Sequence, residues 1–386
     1  MNRYMLGICL NYQQLNYGSK LQAMATVKYL QELGLDYEII RYKKGLKFYL
    51  KALPRIFNPV FFNDRYEQIQ KRLGCKRHPE ILASVETRNQ AMSSFDVHCI
   101  CSLSERFESY EQLKAQCAQK YDHVLTCSDQ LWSPSALGSG FYNLMFAPEE
   151  MRKVSWASSF GVSQIPWYQI KRTREYLQRI EHVSMRENRG AEIVKELTGR
   201  EVPVLMDPVF VFDKEEWIKL VPYREPEWES YIFCYFLGSN PEHRAAARKL
   251  AEKTGKKIVT LRHLDQYIKE DEHFGDYAPY DVDPVRFLNI IRNADCVCTD
   301  SFHGLAFSVL CEKKFLVFNR YSDTSSHSKN SRIESVCRNL QLEDRRYFGD
   351  RDILAAMDAQ INYRDVRALV QGYREKTKAY LQAALL

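Results

Sequence analysis

Short apolar runs along the chain alternate with stretches in which apolar residues recur at helical spacing. At the start, residues 4–10 and 37–41 have the composition of strands, and residues 21–33 have helical spacing between them. Gly34 follows that stretch, where a helix commonly ends. A strand, a helix and a second strand in succession predict a parallel sheet with a right-handed crossover.

The same alternation continues to the end of the chain. Further strands are predicted at 123–127, 153–157, 182–185, 202–205, 231–236, 257–261, 296–299 and 315–318, and further helices from Asp213, at 241–254, at 284–293 and at 304–311. This pattern predicts an α/β protein with two Rossmann-like, doubly wound domains that face a cleft. The expected domains are 1–208 and 209–350, followed by a helical tail at 351–386. Ligands bind at the carboxyl ends of such strands, so the turns that follow them are expected to line the cleft.

Composition and charge narrow the class of protein. The chain has 386 residues, of which 45% are hydrophobic and 27% charged, as in a soluble globular protein. The net charge of +6 does not indicate a nucleic-acid partner. No apolar run approaches the ~20 residues that cross a bilayer, and the N-terminus does not have the pattern of a signal peptide. None of the 11 cysteines forms a C-x-x-C pair, so buried, reduced cysteines and a cytoplasmic location are expected.

One segment differs from the rest of the chain. Residues 41–77 contain eleven Lys or Arg against Asp64 and Glu67, a net charge of +9, and aromatic residues lie between the basic ones. A basic aromatic segment suits peripheral contact with the inner face of a membrane or with a lipid-linked diphosphate. A solvated helical excursion that covers the sheet is the alternative.

The first candidate site joins the first strand to the first helix. It contains Asn16, Gly18, Ser19 and Lys20. Gly18 permits close backbone approach, the amides of a helix N-terminus attract anions, and Lys20 adds a positive charge. A plain N-cap by Ser19 is the alternative.

Two further candidates follow predicted strands. Ser128, Asp129 and Gln130 come after strand 123–127, where a carboxylate and an amide can hold a polyol or act as a base. An Asx-turn is the alternative reading of this segment. Arg186 comes after strand 182–185 and can clamp a carboxylate or phosphate. A surface ion pair with Glu187 is the alternative.

The sharpest candidate links strand 296–299 to the next helix through Ser301, Phe302, His303 and Gly304. A histidine at a helix N-terminus has a lowered pKa, which suits a proton carrier near neutral pH. A structural histidine is the alternative. No metal site is expected, because the histidines lack ligand spacing and Asp283-Pro284 is typical of a helix start.

Together these segments resemble the polysaccharide pyruvyl transferase family. The matching stretches are 16–33, 121–134, 153–161, 184–195 with Asp207-Pro208, 295–315 and 330–333. The resemblance implies a fold of the glycosyltransferase type called GT-B. It also implies transfer of the pyruvyl group of phosphoenolpyruvate onto two hydroxyls of a sugar as a cyclic ketal, with release of phosphate and no further cofactor. The acceptor would be a cell-surface polysaccharide precursor that is either lipid-diphosphate-linked, free or nucleotide-bound.

The resemblance also implies roles for the candidate residues. His303 would be the acid and base, Asp129 would orient or deprotonate the acceptor, and Arg186 would hold the anionic end of the donor. The first domain would bind the acceptor and the second the donor, with amides at Gly18 and Gly304 around phosphate. The remaining positions implied in substrate binding are Asn16, Ser19, Lys20, Ser128, Gln130, Ser301, Phe302 and Arg332.

The chain departs from the family pattern at one important position. Better-studied members have an arginine where this chain has Ser301, two residues before the histidine. Lys20, Arg262 and Arg332 are candidates to supply the missing anion contact. Two alternatives stay open: a GT-B glycosyltransferase that uses a nucleotide sugar, and a non-enzymatic subunit of a membrane-bound glycan assembly line.

Overall fold

A computed structural model describes residues 5–45, 69, 80–99, 102–134, 140–262, 267–321 and 330–386, and the statements below concern these residues. The first half forms a six-stranded parallel sheet. Its strands are β1 (Met5–Cys9), β2 (Asp36–Tyr42), β3 (Leu103–Phe107), β4 (His123–Cys127), β5 (Arg152–Ser158) and β6 (His182–Met185). The order β3-β2-β1-β4-β5-β6 is that of a Rossmann sheet.

The second half forms a five-stranded parallel sheet. Its strands are β7 (Tyr231–Tyr235), β8 (Lys257–Thr260), β9 (Cys296–Thr299), β10 (Lys314–Phe318) and β11 (Arg346–Tyr347). The order is β11-β10-β9-β7-β8, which is the other common doubly wound arrangement. Most strand residues in both sheets are buried, as expected where helices cover both faces.

Helices connect the strands of each sheet. They are α1 (Tyr17–Glu32), α2 (Glu80–Cys99), α3 (Tyr110–Lys120), α4 (Ile170–Arg179), α5 (Asn188–Thr198), α6 (Lys214–Leu220), α7 (Pro241–Thr254), α8 (Pro284–Asn293), α9 (Phe302–Leu310), α10 (Ser331–Asn339), α11 (Ile353–Asp358) and α12 (Tyr363–Leu385). The parallel sheets and their crossover helices confirm the predicted α/β class.

Three local predictions were wrong. The run 202–205 is not a strand: only Val204 pairs, in an isolated bridge with Met185, because Pro203 has no N–H to extend the ladder. Helix α1 begins at Tyr17, before the predicted range 21–33. Its N-cap is Asn16 rather than Ser19, and the Asn16 side chain accepts a hydrogen bond from the Ser19 amide. Helix α9 begins two residues earlier than predicted, since Ser301 caps it.

The two lobes share packing rather than standing apart. The largest cluster of buried apolar residues includes Leu6 and Leu125 of the first sheet together with Val297 and Phe315 of the second. Helix α12 then returns from the second lobe to the first, where the Tyr380 hydroxyl donates to the Ser155 carbonyl at 2.8 Å. The predicted helical tail therefore contacts both lobes.

The predicted membrane contact cannot be located on this fold. Of the basic segment 41–77, only residues 41–45 and 69 are described, so most of that prediction lies outside the described residues. Within the described part of the chain, no helix combines the length and the apolar character that crossing a membrane requires.

Candidate active site

The point where the first sheet changes direction lies between β1 and β4, and polar residues follow both strands there. Asn11 follows β1, and its side-chain amide donates to Asp129 Oδ2 at 3.1 Å. Ser19, in the first turn of α1, donates its hydroxyl to the same oxygen at 3.2 Å. Asp129 is thus held at the position where doubly wound sheets commonly bind ligands.

The backbone after β4 is strained. Ser128 and Asp129 have φ angles of 44° and 52°, in the left-handed region that residues other than glycine seldom adopt. This conformation accompanies a hydrogen bond from the Ser128 hydroxyl to Asp207 Oδ2 at 2.8 Å. Such strain is often found at functional sites.

Arg186 forms a buried ion pair. Its Nη1 lies 2.7 Å from Asp207 Oδ2 and 3.4 Å from the Ser128 hydroxyl. Arg186 therefore is not in a surface pair with Glu187. The Glu187 carboxylate accepts hydrogen bonds from the Ser159 hydroxyl and from the backbone amide of Phe160.

Asp207 was not among the predicted site residues, although it is fully buried at the centre of the cluster. Its sequence signal was the Asp207-Pro208 pair, which contributed to the family resemblance and lay at the end of the first expected domain, but was given no role in the site. The carboxylate also caps the short 3-10 helix Pro208–Val211 by accepting from the Val209 amide. Its position beside Arg186 depends on the fold and is not visible in the sequence.

His303 brings the second lobe to this cluster. Its Nε2 lies 3.9 Å from Asp207 Oδ2. Its ring packs against Gly18, because a Cβ at Gly18 would lie only 2.1 Å from the ring atoms Cγ and Nδ1. Gly18 therefore allows α1 and α9 to approach closely.

Two arginines contact the ring of Phe302. The guanidinium carbon of Arg186 lies 4.7 Å from the ring centroid and that of Arg332 lies 5.7 Å from it. Nε and Nη2 of Arg186 and Nε of Arg332 are buried without a hydrogen-bond partner among the described residues. Unpaired buried donors on guanidinium groups favour an anion as their partner.

Comparison with known proteins identifies the family. A model of the polysaccharide pyruvyl transferase family matches residues 16–322. The chain belongs to this family. The predicted resemblance is confirmed over most of the chain. His303, Arg186, Asp207 and Asp129 lie within the matched residues, and Arg332 lies beyond them. A search of curated proteins finds no match.

Solved structures agree on the fold. A protein described as a UDP-N-acetylglucosamine 2-epimerase from Listeria monocytogenes is 13% identical, with a TM-score of 0.50 over 96% of this chain and 94% of its own. The S. aureus protein MnaA, solved with UDP, is 11% identical, with a TM-score of 0.49 over 100% of this chain and 91% of its own. The likeness to the Listeria protein, together with the two doubly wound sheets, confirms the predicted GT-B-like fold.

Burial keeps His303 neutral in this family member. It lowers the pKa of His303 to about 4, with a further contribution from Arg186, while Asp207 and Asp129 oppose the shift. The cause differs from the helix terminus suggested by the sequence. A neutral imidazole can accept a proton at neutral pH, and it can return that proton to a substrate.

Asp129 is the complementary group. Burial opposes its charge, but Arg186, His303 and the Gln130 amide outweigh that effect and hold the pKa of Asp129 below its usual range. Burial lowers the pKa of Arg332 to about 10, and repulsion from Arg186 and Arg320 adds to the shift. The cluster thus combines two carboxylates, Asp129 and Asp207, with a neutral imidazole and two guanidinium groups.

Two predicted basic residues point elsewhere. The Lys20 ammonium is buried, forms an ion pair with the half-buried Asp96 and donates to the Tyr12 carbonyl at 2.6 Å. Arg262 donates to the Tyr280 hydroxyl at 3.0 Å in the second lobe. Of the three candidates for the missing anion contact, only Arg332 lies beside Arg186.

The remaining predicted residues support the cluster indirectly. Ser301 Oγ accepts from the Gly304 amide at 3.3 Å, and the Asn16 side chain caps α1. One backbone N–H at the start of each helix therefore has a partner within the chain. Gln130 Nε2 is buried without a partner among the described residues. A Cβ at Gly161 would lie 2.3 Å from that atom. Across the described ranges, no three His, Cys, Asp or Glu side chains group so as to bind a metal ion.

Proposed function

We propose that the protein is a ketal pyruvyl transferase. It would move the pyruvyl group of phosphoenolpyruvate onto two hydroxyls of a sugar in a polysaccharide precursor and release phosphate. The family match supports the reaction class. The observation that carries the proposal is a pair of arginines beside a neutral His303: Arg186, which is buried, and Arg332, which is half-buried, both with buried N–H donors that have no partner among the described residues.

The donor has two anionic groups, a carboxylate and a phosphate, on one three-carbon unit. Arg186 and Arg332 both lie over Phe302, so their free N–H groups are close enough to hold one small dianionic or trianionic molecule. Arg332 would take over the contact that an arginine at position 301 makes in better-studied members. Phe302 would keep the two guanidinium planes in place.

His303 would move the proton that the reaction needs. Its imidazolium form protonates the methylene carbon of the donor, which leaves an oxocarbenium-like centre. The first sugar hydroxyl adds to this centre, the C–O bond to phosphate breaks, and the second hydroxyl closes the ring. One hydroxyl proton restores His303 and the other leaves on phosphate, so the reaction balances without an external acid.

Donor binding would supply the first proton. The pKa of His303 is lowered to about 4, so the free protein holds the neutral imidazole at pH 7. A bound trianion beside the ring stabilises the charged form and raises its pKa. Binding of phosphoenolpyruvate should therefore take up about one proton, which titration calorimetry in buffers of different ionisation enthalpy measures.

The acceptor would bind on the side of the first lobe. Asp129 is ionised and held by Asn11 and Ser19, so it can accept a hydrogen bond from a sugar hydroxyl or deprotonate it. The free amide of Gln130 offers a second polar contact. A lipid-linked acceptor at the inner face of the membrane, such as a capsule or exopolysaccharide precursor, suits the basic segment 41–77.

A product assay tests the proposal. Phosphoenolpyruvate is incubated with free, nucleotide-bound and lipid-linked galactose- and mannose-type acceptors, and the products are analysed by mass spectrometry and by phosphate release. The expected result is one acceptor class that gains a pyruvate ketal with equal release of phosphate. His303→Ala should lower turnover by about 10²–10⁴-fold. The control His182→Ala, at the end of β6 away from Arg186, should leave turnover unchanged. Full turnover by His303→Ala contradicts the assigned role.

A further inference from the structure

The second sheet also changes direction, between β7 and β9, and this is the second place where a doubly wound fold commonly binds a ligand. Leu237 and Gly238 follow β7, and Asp300 follows β9. In Rossmann-type sheets, backbone amides of the first turn and the helix after it commonly hold phosphate groups. The Leu237 and Gly238 amides could therefore donate hydrogen bonds to a phosphate unless another group accepts them.

The Asp300 carboxylate accepts hydrogen bonds from both of these amides. Asp300 Oδ1 accepts from the Leu237 amide at 2.7 Å and Oδ2 accepts from the Gly238 amide at 2.8 Å. Arg320, which follows β10, donates from Nη2 to the Asp300 carbonyl at 3.0 Å, and the same nitrogen lies 3.4 Å from Oδ1. Asp300 is 1% exposed, so its charge is stabilised by these donors rather than by water.

The geometry of the turn is built around this carboxylate. A Cβ at Gly238 would lie 2.9 Å from Asp300 Oδ2, so the absence of a side chain there lets the two strand ends close on each other. At the start of α7, Pro241 has no N–H, and the Glu242 amide donates to Asn240 Oδ1 at 2.9 Å, so neither of these first two positions is free to bind an anion. The turn therefore has the donors of an anion site, and a side chain of the chain itself fills it.

We propose that Asp300 is a specificity-determining residue that excludes nucleoside diphosphates from the second lobe. A diphosphate would have to displace the carboxylate from both amides and from Arg320, and an undisplaced carboxylate repels it. Among the described residues, Arg186 and Arg332 then form the anion site that stays open to a donor. This inference goes beyond the proposed function, since it holds whichever reaction occurs at His303.

The first test uses the unmodified protein. UDP, UDP-N-acetylglucosamine and inorganic pyrophosphate are titrated by isothermal calorimetry and by thermal shift. The expected result is no saturable binding up to about 1 mM, a concentration at which binding at Kd values of 100 µM or tighter is evident. Saturable binding of UDP that Arg320→Ala abolishes overturns the proposal.

The second test opens the site. Asp300→Ala frees two amides and Arg320, and it should gain pyrophosphate or UDP binding by at least about tenfold, together with a rise in thermal stability that the wild type does not show. The double variant Asp300→Ala/Arg320→Ala should lose this gain. Asp300→Asn is the conservative control: it removes the charge but fills the space, so its gain should be smaller. A folded Asp300→Ala variant with no gain contradicts the proposal.

If Asp300→Ala does not fold, the wild-type titration still decides the question. The outcome is also separable from the proposed function. Nucleotide binding by the wild type that depends on Arg320 overturns this inference whether or not a ketal product forms. A protein that makes no ketal and binds no nucleotide leaves the role of Asp300 intact while it contradicts pyruvyl transfer.

Discussion

At the residue scale, the site is defined by charged groups that have lost contact with water. Asp207 and Arg186 are buried together, and His303 is neutral beside them. A buried group of this kind is stable only when its partners are in place, and removal of one partner leaves the other unsatisfied. Changes to single atoms should therefore have large and specific effects on stability.

The titration of His303 should make the folded protein sensitive to acid. Its folded pKa is lowered to about 4, and an unfolded histidine titrates near 6.5, so the unfolded chain binds more protons between these values. Stability from this group is present above pH 6.5 and is lost as the pH falls toward 4. The free energy of unfolding, measured with urea, falls between pH 7 and pH 4.5 in the wild type. In His303→Gln this fall should be smaller by about 2–3 kcal/mol. Identical losses in the two proteins would contradict a neutral, buried His303.

The ion pair of Asp207 and Arg186 should be strongly coupled. Asp207→Asn leaves a buried guanidinium without a counter-charge, and we expect a loss of about 3–5 kcal/mol in the free energy of unfolding. Ser128→Ala removes one hydrogen bond to the same carboxylate and a longer one from Arg186, but it leaves the ion pair in place and should cost about 2 kcal/mol. Urea denaturation of both variants, with Arg186→Met and the double variant, measures the coupling. Additive losses from Asp207→Asn and Arg186→Met would show that the pair does not act as a unit.

At the element scale, the first turns of α1 and α9 meet face to face. Asn16 and Ser301 cap the two helices, Gly18 lies against His303, and the ring of Tyr17 stacks on that of Phe287 in α8 at 4.9 Å. These contacts join a helix of the first lobe to helices of the second. The spacing between α1 and α9 therefore sets the position of His303 relative to Asp129.

Gly18→Ala should disturb this contact although alanine favours helices. The added Cβ would lie 2.1 Å from the His303 ring, so the ring or the helix has to move, at a cost of about 1–3 kcal/mol and with loss of turnover. Gly372→Ala in α12 is the matched control. Nothing lies within 4 Å of its Cβ position, so helix propensity should stabilise the protein by up to about 1 kcal/mol. Thermal unfolding of both variants measures the contrast, and a stabilised Gly18→Ala variant would argue against the close approach.

At the scale of the whole molecule, one apolar cluster runs through both lobes, and α12 ties them together. Arg374 in α12 donates to the carbonyls of Phe210 and Phe212 between the lobes, at 2.7 and 2.8 Å. Further along, Leu381 is fully buried in the shared cluster. A shared core couples the unfolding of the two lobes.

Leu381→Ala should test this coupling. Loss of a fully buried leucine side chain should lower the free energy of unfolding by about 3 kcal/mol and keep a single transition, because the cavity forms in packing that both lobes use. Gln382→Ala, at the neighbouring exposed position, should change it by less than about 0.5 kcal/mol. Calorimetry distinguishes one transition from two, and two separate transitions in the wild type would contradict a shared core.

The sequence by itself determined the class of fold and the family. Alternation of apolar runs predicted nearly all strands of the second sheet, and Asp283-Pro284 marked the start of α8 correctly, since Asp283 accepts from the Arg286 amide. These features are local: periodicity, caps and helix starts depend on neighbours within a few residues. The motifs of the pyruvyl transferase family are likewise short, so each could be read where it stands.

Only the tertiary structure decided which of these motifs act together. Asp207 was known from the sequence only as part of a family motif at the end of the first expected domain, and the fold places it beside Arg186. Lys20 was a candidate for an anion contact, and the fold pairs it with Asp96. The pKa of His303 and the role of Asp300 likewise depend on groups from separate strands and helices. Burial, counter-charge and the pairing of buried donors are properties of residues distant in sequence, and the chain sets them only when it folds.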